Sequence, residues 1–185
     1  RGLRPEKVCI DNQGFIRIID LGLAKKVPPQ RFTYTLVGDP EYVAPEILLR
    51  KGYSLPIDVW ALGILVYELL CGAPPFCGLN PMSVYRRILH NNISDQQYHD
   101  KPLVASFIEK LLQKDPQSRP NTNAAKNLAW LSSTDWDALA KKSSSVEVPH
   151  LSFLEREKDD DLAQTSNAGP HPDDILERYC PPPLT

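Results

Sequence analysis

Chemistry-bearing residues concentrate in one stretch, Asp20 to Glu46, which reads DLGLAKKVPPQRFTYTLVGDPEYVAPE. Asp20 follows an apolar run and precedes Leu21 and Gly22. A carboxylate at a strand end can hold Mg²⁺, and a nearby glycine lets the backbone turn sharply. Thr33 and Thr35 flank Tyr34 within reach of Lys25, Lys26 and Arg31. A hydroxyl in such company is a candidate phosphorylation switch, because phosphate gains charge-assisted bonds from ammonium and guanidinium groups. Gly38-Asp39-Pro40-Glu41-Tyr42 follows, and Ala44-Pro45-Glu46 closes the stretch ahead of a helix.

The elements on either side must hold these groups in place. Val8-Cys9-Ile10 and Phe15 to Ile19 are short apolar runs around a turn at Asp11-Asn12-Gln13-Gly14, which predicts a β-hairpin with Asp20 at its end. Asp58 is expected to begin a helix that is apolar almost all round, from Val59 and Trp60 to Leu70, and so central and buried. Gly72-Ala73-Pro74-Pro75 stops it. Asn80 caps the next helix, with Pro81 at its first position and Met82, Tyr85, Ile88 and Leu89 as its apolar stripe. Leu103, Val104, Phe107, Ile108, Leu111 and Leu112 share one helical face. Short helices are expected near Asn123–Leu128 and in Asp135–Lys141. The fold class is mainly α with one small hairpin.

Composition sets the outer limits. The 185 residues allow one domain plus a tail, and 42% hydrophobic residues suffice for a real core. The net charge of −2 conceals a split. Residues 1–142 carry 18 Lys/Arg against 14 Asp/Glu, whereas residues 143–185 carry 3 against 9 together with six prolines. That acidic, proline-rich tail is expected to be disordered. Nothing suggests nucleic-acid binding, and no apolar run is long enough to span a bilayer. Cys9, Cys71, Cys77 and Cys180 lack metal-ligand spacing. Reduced thiols in a cytoplasmic or nuclear compartment are the expectation. The chain begins at Arg1 with no methionine before Met82, so it reads as a fragment.

In order and spacing, the stretch from Asp20 to Glu46 resembles the activation segment of a eukaryotic protein kinase, which D-F-G and A-P-E bracket. Asp58-Val59-Trp60 strengthens the match. Further motifs are Pro74-Pro75-Phe76, Leu111-Leu112-Gln113-Lys114-Asp115-Pro116 ending at Arg119, and Asp135-Trp136-Asp137-Ala138-Leu139. These are most similar to the AGC group, the cyclic-nucleotide-dependent kinases and their relations. Thr33 to Gly38 and Pro40-Glu41-Tyr42 point the same way. The resemblance covers roughly residues 1–150. It implies the helical, C-terminal lobe of a Ser/Thr kinase over residues 1–142, followed by the group's C-terminal extension over 143–185, whose usual Phe-rich motifs are missing. The smaller lobe, with its Gly-rich loop and ATP-binding lysine, is not in this stretch.

Carried over residue by residue, the resemblance implies a damaged catalytic loop. Arg1 matches the Arg of the family's His-Arg-Asp, but Gly2 stands at the catalytic Asp and offers no acceptor for the substrate proton. Loss of a positioned base forfeits about 10²–10⁴ in rate. Arg4 replaces the lysine that contacts the transferred phosphate and keeps its charge. Lys7 replaces the Asn that coordinates Mg²⁺, and an ammonium cannot ligate a metal. Asp20 matches the metal-binding Asp, and either a metal or Lys7 is its expected partner. Thr35 matches the activating phosphosite, with Arg1 and Lys25 at the cations that receive its phosphate. Asp39 replaces a threonine and is expected to pair with Arg4.

The remaining matches concern anchoring and substrate. Glu46 and Arg119 match a buried pair that fastens the activation segment, and Asp58 matches the anchor of the catalytic-loop backbone. Glu6 and Glu68 match carboxylates that read arginine in the substrate, and Leu36, Pro40 and Val43 match an apolar pocket beside the phosphoacceptor. The implied co-substrates are ATP and Mg²⁺. Arg/Lys-rich peptides or proteins, the missing lobe and a regulatory subunit or domain are the implied partners. Two functions follow from the resemblance. The first is a pseudokinase, a regulatory module presenting a basic-peptide groove. The alternative is an active ATP-dependent Ser/Thr kinase of which this is a truncated or misread fragment.

Overall fold

A computed structural model describes residues 1–93 and 100–143. The expected tail, from residue 144 onward, lies outside the described residues. Two short strands, β1 (Val8–Ile10) and β2 (Ile16–Ile18), form the hairpin. Six helices follow: α1 (Pro45–Leu48), α2 (Pro56–Cys71), α3 (Pro81–His90), α4 (Pro102–Leu111), α5 (Thr122–Lys126) and α6 (Trp136–Ala140). The described residues are thus helix-rich with one two-stranded sheet, as the hydrophobic periodicity predicts. None of their helices is long and apolar enough to cross a membrane.

Contacts divide the chain into two units. The larger comprises Arg1–Cys9 with Ile18–Thr134, and α2 is its centre. Trp60 and Ile64 of α2 are fully buried, as are Ile88 of α3 and Ile108 of α4. α2 and α4 pack closely at Gly63, where an added Cβ would stand 2.7 Å from Leu112 Cδ2 and 3.0 Å from Leu111 Cβ. Only a residue without a side chain permits that approach. Among the described residues, the smaller unit joins Ile10–Arg17 to residues 135–143. Within it, Lys142 Nζ donates to Asp11 Oδ2 at 3.1 Å and lies 4.9 Å from the Phe15 ring centre.

Helix ends follow local chemistry. α2 begins at Pro56, two residues before the expected Asp58, because proline's fixed φ suits the first helical position. Asp58 sits in the first turn. Gly72 ends α2 at φ +81°, its N–H donating to the Glu68 carbonyl at 2.7 Å, a left-handed cap that glycine adopts without penalty. At α3, Asn80 Oδ1 accepts from the Ser83 N–H at 2.9 Å while the Ser83 hydroxyl reaches back to the Asn80 N–H, a reciprocal cap.

Two apolar stripes are shifted from expectation. Met82 is 72% exposed, and Val84 and Ile88 form the buried face of α3. Leu103 of α4 also faces outward, leaving Val104, Phe107, Ile108 and Leu111 inside. Both misplaced residues lie in a helix's first turn, where one residue's error in phase turns a side chain out by 100°. Cys9 and Cys71 are free thiols.

Candidate functional site

The first seven residues run past Gly2 into a single 3₁₀ turn, Pro5–Lys7, that delivers Lys7 toward the end of the hairpin. Lys7 Nζ stands 3.0 Å from Asp20 Oδ2, forming an ion pair. Asp20 adopts a left-handed φ of +54°, a conformation aspartate tolerates, and its Oδ1 accepts from the Gly22 N–H at 3.1 Å. The Lys7 hydrogen bond, then the Gly22 N–H, holds the Asp20 carboxyl below the usual carboxylate range. Gly2 has φ +114°, and a Cβ there would stand 3.4 Å from Lys7 Nζ and 3.1 Å from Leu23 Cδ1. Lys7 therefore crosses directly beside the position at which a catalytic carboxylate is expected. A cavity of about 270 Å³ opens here, lined in part by Gly2, Lys7, Ile19, Asp20 and Leu21.

A second cation is also taken up internally. Arg4 Nη1 donates to Asp39 Oδ2 at 2.8 Å, and Arg4 Nε lies 3.3 Å from Glu6 Oε2. Asp39 Oδ1 meanwhile accepts from the Glu41 N–H at 3.2 Å, starting the turn Pro40–Tyr42. One residue thus caps a turn and neutralises the guanidinium. Asp58 Oδ1 accepts from the main-chain nitrogen of Arg1 at 2.8 Å, tying the first residue to α2.

Around Thr35 the structure assembles more than the motif suggests. The Arg1 side chain donates through Nε to the Leu23 carbonyl at 2.7 Å and through Nη1 to the Tyr53 hydroxyl at 3.2 Å. Tyr53 in turn donates to the Thr35 carbonyl at 2.7 Å. Thr33 is buried and exchanges backbone hydrogen bonds with Tyr53 at 3.0 and 2.9 Å. Lys25 Nζ donates to the Thr33 hydroxyl at 3.0 Å rather than to exposed Thr35. Tyr53 is absent from the sequence-based site. No local pattern links it to residues 18 and 52 positions away.

The acidic positions have partners of their own. Glu68 Oε2 accepts a short hydrogen bond from the Tyr42 hydroxyl. Burial first, then Glu68, pushes the Tyr42 hydroxyl far above its ordinary range. Burial also raises Glu41, helped by Asp39 and Glu68. Glu6 remains mostly exposed beside Arg4. Leu36 is exposed and Pro40 half-buried, but Val43 is only 3% exposed and sits in the core. These three do not form one open pocket. Val43 faces inward because Tyr42, Val43 and Ala44 together seal the entry to α1.

Glu46 and Arg119 form a fully enclosed clasp. The two guanidinium N–H groups donate to the two carboxylate oxygens at 2.8 and 2.7 Å, with side chains 5% and 0% exposed. Arg119 also donates to the carbonyls of Gln113 at 2.8 Å and Pro56 at 3.0 Å, and its guanidinium lies 5.0 Å from the Trp60 ring centre. Trp60 stacks on Phe76 at 5.9 Å. Lys114, 4.6 Å over Phe76, donates to the Ile88 carbonyl. Burial, with Arg119 nearby, lowers Lys114 to about 8.

Against known proteins, the family model for the protein kinase domain matches residues 1–131. Human cGMP-dependent protein kinase 2 is 38% identical over 150 residues, covering 77% of this chain and 20% of the relative. Human cAMP-dependent protein kinase catalytic subunit PRKX is 35% identical over 188 residues, 99% of this chain and 50% of the relative. The Drosophila melanogaster cAMP-dependent protein kinase catalytic subunit 3 is 38% identical over 157 residues, 82% and 26%. The chain spans half or less of the length of these relatives.

Proposed function

Because the chain belongs to the protein kinase family, as a Ser/Thr kinase domain of the AGC type similar to cyclic-nucleotide-dependent kinases, we propose that it acts as a pseudokinase. It is a regulatory module that binds arginine-rich peptides or proteins and performs no phosphoryl transfer of its own. One observation carries this reading: Lys7 lies 3.0 Å from Asp20 and beside Gly2, so the metal position is taken up in an internal ion pair and the base position has no acceptor. Arg4 is likewise engaged, paired with Asp39 at 2.8 Å and 3.3 Å from Glu6. A phosphoryl-transfer site works by placing uncompensated cations and a proton acceptor around the moving group. Here Lys7 and Arg4 each face a carboxylate of the chain, and Gly2 offers no acceptor.

ATP and Mg²⁺ are the family's general requirements, and the residues present do not fit the metal. Asp20 is engaged by the Lys7 ammonium, which has no lone pair to offer an ion at the position where the family has an amide oxygen. The acidic face is different, because Glu68 beside the Tyr42 hydroxyl and the largely exposed Glu6 are not faced by Lys7. It suits an arginine-bearing segment, with the rest of a kinase domain and a regulatory subunit as further partners, in the cytoplasm or nucleus.

The test is fluorescence anisotropy with a labelled arginine-rich peptide and its Arg→Ala counterpart. Binding should be weak and should fall as salt rises, because exposed pairs are screened beyond about 8 Å at physiological ionic strength. Equal binding of the two peptides overturns the proposal.

A further inference from the structure

The Lys7–Asp20 pair has a consequence for ligands that rests on the pseudokinase reading and goes further. We propose that Lys7 is the resident cation of this site: it occupies the place of a divalent ion at Asp20, keeps such ions out, and meets any phosphate-bearing ligand in the adjoining cavity with its own ammonium. The Lys7 side chain is only 13% exposed, so it is a held group and not a solvated surface lysine. Its Nζ stands 3.4 Å from where a Gly2 Cβ would be, so Gly2 leaves the space that the ammonium uses. Asp20 is fixed from the opposite side by the Gly22 N–H at 3.1 Å. The pair lines the 270 Å³ cavity, whose other walls include Ile18, Ile19 and Leu21.

Charge and donor chemistry decide between metal and ammonium. A divalent ion needs several oxygen ligands, and here Asp20 supplies the carboxylate while Lys7 supplies none. Two like charges on one carboxylate also repel, so a metal at Asp20 would have to displace Lys7 from its partner. An ammonium, by contrast, donates three hydrogen bonds and is a recognised phosphate ligand in its own right. Arg1 also lines the cavity, but its guanidinium is turned to the Leu23 carbonyl at 2.7 Å and the Tyr53 hydroxyl at 3.2 Å. Lys7 is the lining cation that stands at the Asp20 carboxylate.

The experiment is a titration of the chain with Mn²⁺ alone, read by water-proton relaxation, for the unmodified protein, Lys7→Asn and Lys7→Asn/Asp20→Asn. The unmodified chain should show no Mn²⁺ site that depends on Asp20. Lys7→Asn removes one positive charge next to the carboxylate and adds an amide oxygen. It should tighten Mn²⁺ binding on the order of tenfold or more, a gain lost in the double variant. Lys7→Met, which keeps the stem but not the charge, replaces Lys7→Asn if that variant loses its fold. An Asp20-dependent Mn²⁺ site in the unmodified chain overturns the inference, and so does the absence of any gain in the Lys7 variants. An Asp20-dependent Mn²⁺ site would also remove the metal argument from the pseudokinase reading, whereas peptide binding is read by anisotropy alone, so the two failures are distinguishable.

Discussion

Two ion pairs in this chain are built from similar charges at similar distances, 2.7 Å for Glu46–Arg119 and 3.0 Å for Lys7–Asp20. Their surroundings differ completely. The first has side chains 5% and 0% exposed, while Asp20 of the second is 59% exposed. In the clasp, the hydrogen-bond partners of Arg119 are carbonyls and a carboxylate of the fold, and Trp60 covers its face. At the hairpin end, only Gly22 and Lys7 hold the carboxylate. The enclosed pair is placed to hold the fold, and the proposed loss of reaction concerns only the exposed one. A chain can lose its reaction at the exposed site and keep its architecture, but it cannot lose the clasp in the same way.

Breaking the comparison starts with Arg119→Ala. It strands the Glu46 carboxylate in the core, and loss of one partner from a buried pair costs about 3–5 kcal/mol. Urea denaturation should show a midpoint shift of that size or a chain that no longer folds. A shift as small as a surface substitution's would erase the distinction. Gly63→Ala probes how tight the buried side is. Its new Cβ meets Leu112 and Leu111 at 2.7 and 3.0 Å, and overpacking of this kind costs about 1–3 kcal/mol.

Lys114 offers a pH handle on the same region. Its ordinary value is 10.5, and burial with Arg119 lowers it to about 8. Below about 8, folded and unfolded chains both carry the proton, and stability does not change with pH on its account. Between about 8 and 10.5 the unfolded chain binds more of it, so this group makes stability rise with pH across that window. Urea midpoints at pH 7.5 and pH 10 should therefore differ more in the unmodified chain than in Lys114→Met, with the difference favouring alkaline pH. Smallest of all, Lys7→Asn should leave the urea midpoint where it is, because the pair it breaks is exposed at Asp20. A large loss would make Lys7–Asp20 a second clasp.

How much of this was legible in the sequence depended on distance along the chain. Asn80-Pro81 and Gly72 announced helix ends because capping is settled within four residues. The apolar run after Pro56 announced a buried central helix for the same local reason. Met82 and Leu103 were misassigned because which side of a helix counts as inside is decided by its packing partner. Val43 was expected at a surface pocket and lies in the core, since resemblance places a residue in order but not in depth. Tyr53 and Tyr42, which bridge Arg1 to Thr35 and cap Glu68, were not anticipated. Their partners are far off in sequence, and a lone tyrosine carries no spacing signal. The Arg4–Asp39 pair is expected from the sequence and forms, and of the two partners expected for Asp20 it is Lys7 that the structure places beside it.

The central claim, that the described lobe keeps its anchors while its reaction is gone, is tested most directly by transfer of radiolabelled phosphate from ATP to an arginine-rich peptide. The unmodified chain and Asp20→Ala would be compared side by side with Mg²⁺ present. The account predicts the same background signal from both, because Gly2 supplies no proton acceptor and Lys7 already occupies Asp20. Transfer by the unmodified chain that Asp20→Ala abolishes would contradict it.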